Sequence, residues 1–335
     1  MMSAKVIACD VGYGFVKAVS DTGSRVVFPS LVAPDRGDSL GVGDLFGRPP
    51  GHTVSLRPPG GGAESYLVGE AARASFLASG FLGAEKPAEM HDVLLLAACY
   101  LAGAGSEGHL PGQVPRLAVG LPLALYRPQR DALRERLSRL AAWASVDGGP
   151  ERYFSFREVR VYPQGVGVVF AQDGLPGHGF AGIIDVGHLT VDYLLVDLEA
   201  GRPVPEASGS LEVGCHLLAK EVARAFREAA GEPLPHRLEG YVLRAAAEGR
   251  PVGYRGRELD LSRAYREAAA EVATAVSKQV LSAWADWAKF ITLTLLAGGG
   301  ALALGAELAR SLPSARVVDD PTFANALGFL RMASR

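Results

Sequence analysis

Residues 4–19, AKVIACDVGYGFVKAV, decide the fold of this chain. The apolar run VIAC predicts a buried strand that ends on a single acid, Asp10. Gly12 and Gly14 follow at once and predict a turn, after which a second β-prone run contains Lys17. The stretch therefore predicts two short strands joined by a glycine turn, with a carboxylate before the turn and an ammonium after it.

The same pattern recurs about half the chain later, in IIDVGHLTVDYLLV at 183–196. One Asp-x-Gly is common, and alone it indicates an ordinary β-turn with an exposed acid. Two copies between strand-like runs favour a duplicated phosphate clamp, because N–H groups in a glycine turn approach phosphate oxygens closely. Carboxylates at the strand ends can hold Mg²⁺ through its waters. We expect Lys17 to reach a β- or γ-phosphate, with Thr190 and Asp192 beside the second turn.

Composition limits the function classes. A chain of 335 residues with 48% hydrophobic and 21% charged residues is typical of a soluble protein of two domains. The net charge of −2 gives no footprint for nucleic acid or an anionic membrane. Three cysteines without C-x-x-C spacing predict buried thiols in a reducing cytosol. The start lacks a signal-peptide pattern, so we expect a cytoplasmic protein.

Strands and helices alternate along the chain, which predicts an α/β class. The uncharged segment 290–306 imitates a membrane span, but Gly298, Gly299 and Gly300 at its centre favour strand, turn and helix. Residues 34–65 are rich in Gly, Pro and Asp and predict a loop-heavy insertion. Helices are expected at 88–104, from near Pro128 onward, at 213–230, at 235–248, over 262–289 and at the C-terminus.

The order of two phosphate hairpins, a strand–helix connection and a glycine triplet resembles the actin, Hsp70 and sugar-kinase superfamily. VGLPLALY at 119–126, VYPQGVGVVFA at 161–171 and DDPTFANALGFL at 319–330 are similar to ParM-type bacterial and archaeal actin-like proteins. The resemblance covers most of the chain, and it is weakest at 34–65 and 216–289. It implies an actin-like fold, in which two similar domains with duplicated ribonuclease-H-like cores enclose a nucleotide cleft.

The resemblance also implies domain limits. Domain I is expected at 1–165, with an insertion at about 34–70, and the C-terminal helix 321–335 is expected to pack back on it. Domain II is expected at 166–320, with a helical insertion at about 216–289.

The resemblance implies roles for individual residues. Asp10 and Asp185 are expected to organise Mg²⁺ through water, and Asp185 also to position the attacking water. Gln164 is implied as the second catalytic residue, where ParM has a glutamate and conventional actins a glutamine. A neutral amide orients water and is not a strong base, so we expect slow hydrolysis. The implied nucleotide-binding residues are Asp10, Gly12, Tyr13, Gly14, Phe15, Lys17, Gly187, His188, Leu189, Thr190, Asp192, Gly214, Gly298, Gly299 and Gly300.

The implied function is an ATPase, with ATP or GTP and Mg²⁺ as ligands, that polymerises with itself into filaments. Its expected task is the movement of plasmid or other DNA through an adaptor protein, without direct contact to nucleic acid or membrane. Two alternatives stay open at this point. One is a small-molecule kinase of the same superfamily, and the other is a non-polymerising scaffold in pilus or division assembly.

Overall fold

The computed structural model describes residues 4–37, 50–73, 75, 77–80, 86–106 and 114–335. The chain divides into two compact units. Unit 1 comprises Met1–Asp173 and Phe323–Arg335, and unit 2 comprises Gly174–Thr322. The chain leaves unit 1 after Asp173, whereas the sequence places the boundary after residue 165. The difference arises because the helix after residue 165 packs on the C-terminal helix of unit 1.

Unit 1 has a five-stranded core sheet in the order β11-β8-β1-β2-β3. Its strands are β1 (Val6–Val11), β2 (Phe15–Ser20), β3 (Arg25–Pro29), β8 (Arg116–Leu121) and β11 (Glu158–Pro163). The strands β8 and β11 run parallel to β1, whereas β2 pairs antiparallel with β1 and β3 pairs antiparallel with β2. Alternate residues of β1 enter two different cores, Ile7 and Cys9 on one face and Val6 and Ala8 on the other. The sheet is therefore covered on both faces, which explains why β1 is apolar up to Asp10.

A second, six-stranded sheet is inserted into unit 1 in the order β10-β9-β5-β6-β4-β7. Its strands are β4 (Leu31–Pro34), β5 (His52–Arg57), β6 (Glu64–Val68), β7 (Ser79–Gly80), β9 (Ala142–Val146) and β10 (Arg152–Phe154). The prediction of a loop-heavy insertion at 34–65 was wrong for β5 and β6, which pair with each other. Residues 38–49 of that insertion lie outside the described residues.

In the described part of unit 1 the helices are α1 (Glu70–Arg73), α2 (Ala88–Leu101), α3 (Leu123–Ser138), α4 (Val166–Ala171) and α9 (Ala324–Ser334). The prediction that α3 begins near Pro128 was wrong. The helix begins at Leu123, because Pro122 precedes it with a fixed φ and its carbonyl accepts from the N–H of Leu125 at 2.9 Å. The helices α4 and α9 pack closely through Gly167 and Gly328.

Unit 2 repeats the core sheet of unit 1. Its strands are β12 (Phe180–Val186), β13 (Val191–Asp197), β14 (Arg202–Pro203), β15 (Gly209–Leu211), β18 (Ile291–Ala297) and β19 (Ala315–Val317). The order is β19-β18-β12-β13-β14, and β15 also pairs with β13. As in unit 1, two parallel strands lie on one side of the first hairpin strand, here β18 and then β19 beside β12, and the antiparallel second strand of the hairpin, β13, lies on the other side. The predicted duplication of the core is therefore confirmed in topology.

The helices of unit 2 are α5 (His216–Ala230), α6 (Glu239–Ala247), α7 (Ser262–Ala283) and α8 (Ala301–Ser311). The expected helix over 262–289 ends earlier, at Ala283. The reason is the buried side chain of Trp284, whose indole Nε1 donates to the carbonyl of Ala207 at 2.9 Å and turns the chain toward β18. The insertion also contains a hairpin that the sequence analysis missed, β16 (Val252–Tyr254) and β17 (Arg257–Leu259). Its turn places Arg255 and Gly256 at positive φ.

The uncharged segment 290–306 forms β18, the glycine turn and the start of α8, as the sequence predicts. Among the described residues, no helix is both long enough and apolar enough to cross a membrane.

Candidate functional site

The first Asp-Val-Gly hairpin closes through a defined network of backbone bonds. The N–H of Gly12 donates to the carbonyl of Phe15 at 3.1 Å. Ser30, from the end of β3, holds two carbonyls of the turn: its hydroxyl donates to Gly12 at 2.7 Å and its N–H donates to Gly14 at 2.9 Å. The N–H of a trans peptide points away from its C=O. The N–H groups of Tyr13 and Phe15 are therefore directed to the side opposite Ser30.

Glycine is required at position 12 for a steric reason. A Cβ there would lie 2.8 Å from the carbonyl oxygen of Phe15, which is backbone and cannot move without opening the turn. The glycine by which the sequence predicts this turn is therefore required by the geometry of the turn itself.

Asp10 lies between two side chains at the carboxyl edge of the core sheet. It is only 4% exposed, and its Oδ2 accepts from the Nζ of Lys17 at 3.2 Å. Its Oδ1 accepts from the Nε2 of Gln164 at 2.6 Å. Lys17 stands directly opposite Asp10 in the β1–β2 register. Gln164 follows directly after β11, and its backbone N–H donates to the carbonyl of Leu121 at 2.7 Å. Parallel strands bring their carboxyl ends to one edge, and this brings Asp10 and Gln164 together.

The contact to Asp10 fixes the orientation of the Gln164 amide. A carboxylate only accepts hydrogen bonds, so the NH₂ group of Gln164 must face Asp10. The carbonyl oxygen Oε1 of Gln164 is left on the other side of the amide, where it can accept a hydrogen bond from water.

Lys86 is a residue of this site that the sequence analysis missed. Its Nζ donates to the carbonyl of Val11, and it lies 4.4 Å from the centroid of the Tyr13 ring. Lys86 is outside the hairpin motif, just before α2, so no local pattern could have indicated it.

The second hairpin repeats the geometry of the first. Asp185 stands opposite Asp192 in the β12–β13 register, as Asp10 stands opposite Lys17. The N–H of Gly187 donates to the carbonyl of Thr190 at 2.9 Å, which matches the bond from Gly12 to Phe15. A Cβ at Gly187 would lie 2.7 Å from that carbonyl.

The second hairpin differs from the first in its charge. Asp185 and Asp192 are both buried, at 8% and 2% exposure, and directly opposed carboxylates repel each other. The hydroxyl of Ser210 donates to Oδ1 of Asp192 from the neighbouring strand β15. Ser210 thus stabilises the charge of Asp192, and this partner too was absent from the sequence prediction.

The start of α5 packs on the second turn through backbone bonds. The N–H of Cys215 donates to the carbonyl of Gly187 at 3.2 Å, and the N–H of His216 donates to that of His188 at 3.0 Å. The ring Nδ1 of His216 lies 2.9 Å from the same carbonyl. Gly214 permits this approach, because a Cβ there would lie 2.4 Å from the carbonyl oxygen of His188.

The glycine triplet lies against the end of β12. Asp185 is in register with Ala297, so Gly298 follows directly beside the hairpin. The N–H of Gly300 donates to the carbonyl of Val186 at 2.9 Å. The structure therefore places the triplet, the second turn and Gly214 at one edge of the unit 2 sheet. Leu189 and Thr190 complete this turn, and Thr190 takes part through its backbone carbonyl.

The cysteines near the two hairpins are free thiols, with Cys9 buried and Cys215 half-buried. Burial raises the pKa of Cys9 well above its usual range and that of Cys215 to about 11. Both side chains are therefore neutral thiols at physiological pH, and thiols of this kind are unreactive.

Each hairpin offers a carboxylate of the kind that binds a Mg²⁺ ion that keeps most of its water. Within the described ranges, no group of three or more His, Cys, Asp or Glu side chains could hold a metal by itself. Mg²⁺ commonly binds through one or two carboxylates together with the phosphates of its substrate. Asp10 in unit 1 and Asp185 in unit 2 are each a carboxylate at the end of a strand beside a glycine turn, and each by itself is the kind of ligand that hydrated Mg²⁺ takes.

Two sheets of the same strand order, each carrying an Asp-Val-Gly hairpin at its carboxyl edge, define an actin-like fold. The family model "Actin like proteins N terminal domain" matches residues 8–167, and "Archaeal actin homologue MreB-like, C-terminal" matches residues 183–310. The two models match consecutive parts of the chain and together cover most of it, which assigns it to the actin-like proteins.

Individual relatives match over nearly the whole chain. An archaeal actin homologue of Thermoplasma volcanium is 26% identical, and the match covers 98% of this chain and 99% of the relative. A ParM of Clostridium botulinum, solved as a 15-stranded filament, is 24% identical with a TM-score of 0.86 and 99% coverage of both chains. An archaeal actin homologue in complex with ADP is 24% identical with a TM-score of 0.77, covering 98% of this chain and 99% of the other.

Proposed function

We propose that this protein is an actin-like ATPase that polymerises into nucleotide-dependent filaments. The observation that carries the proposal is the duplicated hairpin. Both copies have the same register, the same turn bond and a buried aspartate at the same place, as Asp10 and Asp185. A duplicated turn of this kind is suited to a ligand with several phosphates, because each turn directs N–H groups outward.

The comparisons support nucleotide binding and self-association. An archaeal actin homologue with the same fold was solved with ADP, and a ParM with the same fold was solved as a filament. We therefore propose ATP, with GTP as the alternative nucleotide, as the ligand, and further copies of this chain as the partner.

The proposed chemistry divides among the residues of the two hairpins. Lys17 balances the charge of Asp10, and backbone N–H groups of both turns bind phosphate oxygens. Mg²⁺, held by Asp10 and Asp185 through water, would neutralise charge on the phosphates. Gln164 orients the attacking water through Oε1 while its NH₂ group stays on Asp10. Because the neutral amide of Gln164 is too weak a base to accept the proton of the attacking water, we propose that hydrolysis is slow.

Gly214 and the triplet Gly298, Gly299 and Gly300 are proposed as the glycines that let the backbone approach the nucleotide. In the cell we propose a cytoplasmic cytoskeletal role, with movement of plasmid or other DNA through an adaptor as the first candidate. The net charge of −2 favours an adaptor over direct contact with nucleic acid.

The proposal is tested by 90° light scattering on addition of Mg-ATP, with electron micrographs and phosphate release on the same samples. The variant is Asp185→Ala, and the matched control is Asp286→Ala, an exposed acid in the same unit. Scattering that rises with filaments, together with phosphate release that stalls only in Asp185→Ala, supports the ATPase filament.

Other outcomes select the alternatives. Flat scattering with tight ATP binding indicates a non-polymerising scaffold. Flat scattering with ATP turnover that a sugar or carboxylate stimulates indicates a kinase. No nucleotide binding by the wild type would overturn the phosphate-clamp argument itself.

A further inference from the structure

Lys86 holds the first phosphate turn from outside the hairpin. It lies in the segment that joins the inserted sheet to α2, and its Nζ donates to the carbonyl of Val11 at the end of β1. The same ammonium lies 4.4 Å from the centroid of the Tyr13 ring, within the range of a cation–π interaction. One side chain therefore contacts two neighbouring parts of the turn.

The bond to Val11 fixes a whole peptide plane. The carbonyl of Val11 and the N–H of Gly12 belong to the same planar peptide unit. The ammonium of Lys86 donates to the oxygen of this peptide, on Val11, and the N–H of the same peptide, on Gly12, donates to the carbonyl of Phe15 at 3.1 Å. With both ends bonded, this peptide cannot rotate without breaking one of the two contacts, and the rotation would displace the residues that follow.

Ser30 holds the next carbonyls of the turn, at Gly12 and Gly14. Lys86 and Ser30 together thus bind three carbonyls of this segment, those of Val11, Gly12 and Gly14. The N–H groups that follow Gly12 and Gly14 are directed away from Ser30. The orientation of these N–H groups is what a phosphate-binding turn requires.

Lys86 also changes the charge around the turn. The carboxylate of Asp10 forms an ion pair with Lys17 at 3.2 Å. The ammonium of Lys86 is a second positive charge on the same short segment, and its two contacts to the turn are with neutral groups, a carbonyl and a ring.

We propose that Lys86 is a positioning residue of the nucleotide site: it fixes the Val11–Gly12 peptide and the Tyr13 ring and so holds the turn in the shape that binds a polyphosphate. The inference rests on the proposed function, in that the turn is taken to bind phosphate. Lys86 then contributes to the binding of the phosphates of the ligand and not to the binding of its nucleoside.

The test compares Lys86→Met with Lys86→Arg and with Lys5→Met, which removes an exposed lysine of the same unit. The first readout is amide hydrogen exchange of residues 11–15 without nucleotide. Lys86→Met is expected to accelerate it, whereas Lys5→Met is not. The second readout is affinity for Mg-ADP and for adenosine. Loss of a charge-assisted bond predicts that Lys86→Met weakens Mg-ADP binding by about tenfold to a hundredfold, with adenosine unchanged.

Arginine keeps the charge and the cation–π contact, so Lys86→Arg should recover most of the Mg-ADP affinity. Equal exchange and equal Mg-ADP affinity in Lys86→Met and Lys5→Met would overturn the inference. Equal weakening of Mg-ADP and adenosine would overturn the assignment to phosphate. If the wild type binds no Mg-ADP, the proposed function fails and the nucleotide role of Lys86 fails with it, while exchange still decides whether Lys86 holds the turn.

Discussion

Substitution of one glycine in the triplet should damage unit 2, whereas substitution of its neighbour should not. Gly298 has a φ of +82°, and a Cβ there would lie 2.4 Å from both Oδ1 of Asp185 and the carbonyl oxygen of Val186. A Cβ at Gly299 would meet nothing within 4 Å, and this residue is exposed. Gly298→Ala and Gly299→Ala are therefore a matched pair with the same chemical change.

The two costs at position 298 can be added. The left-handed conformation costs an L-residue roughly 1–2 kcal/mol. Overpacking of a buried position costs about 1–3 kcal/mol more, because the atoms that must move include the backbone of β12. We expect Gly298→Ala to lower the free energy of unfolding of unit 2 by about 2–5 kcal/mol. Gly299→Ala should leave that free energy unchanged or raise it by up to about 1 kcal/mol.

The assay is urea unfolding followed by tryptophan fluorescence in a Trp143→Phe background. The chain has three tryptophans, and this background leaves Trp284 and Trp287, both in unit 2. Trp284 is fully buried, so its emission reports the loss of the unit 2 core. Equal unfolding midpoints for Gly298→Ala and Gly299→Ala would refute the reasoning. Mg-ADP affinity should fall only in the first variant.

Three further outcomes are expected. Gln164→Leu removes the donor to buried Asp10 and should destabilise unit 1 by about 1.5–3 kcal/mol while slowing phosphate release; unchanged release would remove Gln164 from the proposed chemistry. Burial lowers the pKa of His91, so as the pH falls this histidine is protonated in the unfolded chain at a higher pH than in the folded protein. Stability should therefore be complete above the ordinary histidine pKa and decline as pH falls below it, and a His91→Gln variant with an equally steep decline in acid unfolding would count against this. Gly328→Ala places a Cβ 1.8 Å from the carbonyl oxygen of Gly167, so despite a gain in helix propensity of about 1 kcal/mol it should loosen the C-terminal helix, measured as faster amide exchange over 324–334.

Both Asp-Val-Gly hairpins were predictable from the sequence because their signals are local. An apolar strand, an acid, a glycine turn and a second strand occupy fewer than about twenty residues, and the turn chemistry alone requires glycine at Gly12 and Gly187. The strand, turn and helix around Gly298–Gly300 were predicted correctly for the same reason.

The strands of the inserted sheet were not predictable in the same way. Strand β5 pairs with β9, which lies far along the chain, and its polar sequence HTVSLR carries a weak strand signal of its own. The hairpin β16–β17 was missed because its turn has only one glycine, with Arg255 in the other positive-φ position. In both cases tertiary pairing decided the structure against a weak local preference.

The sequence by itself determined the duplicated hairpins, the α/β class and the membership in the actin-like proteins, since each depends on short patterns repeated in a fixed order. The tertiary structure alone decided what surrounds Asp10. Lys17 is its cross-strand neighbour, but Gln164 reaches it across the carboxyl edge of parallel strands, and Lys86 reaches the adjacent turn from another element. Such contacts depend on the order of the strands in the sheet and on the length of the side chains that meet there, and a local sequence pattern does not specify which distant residues meet.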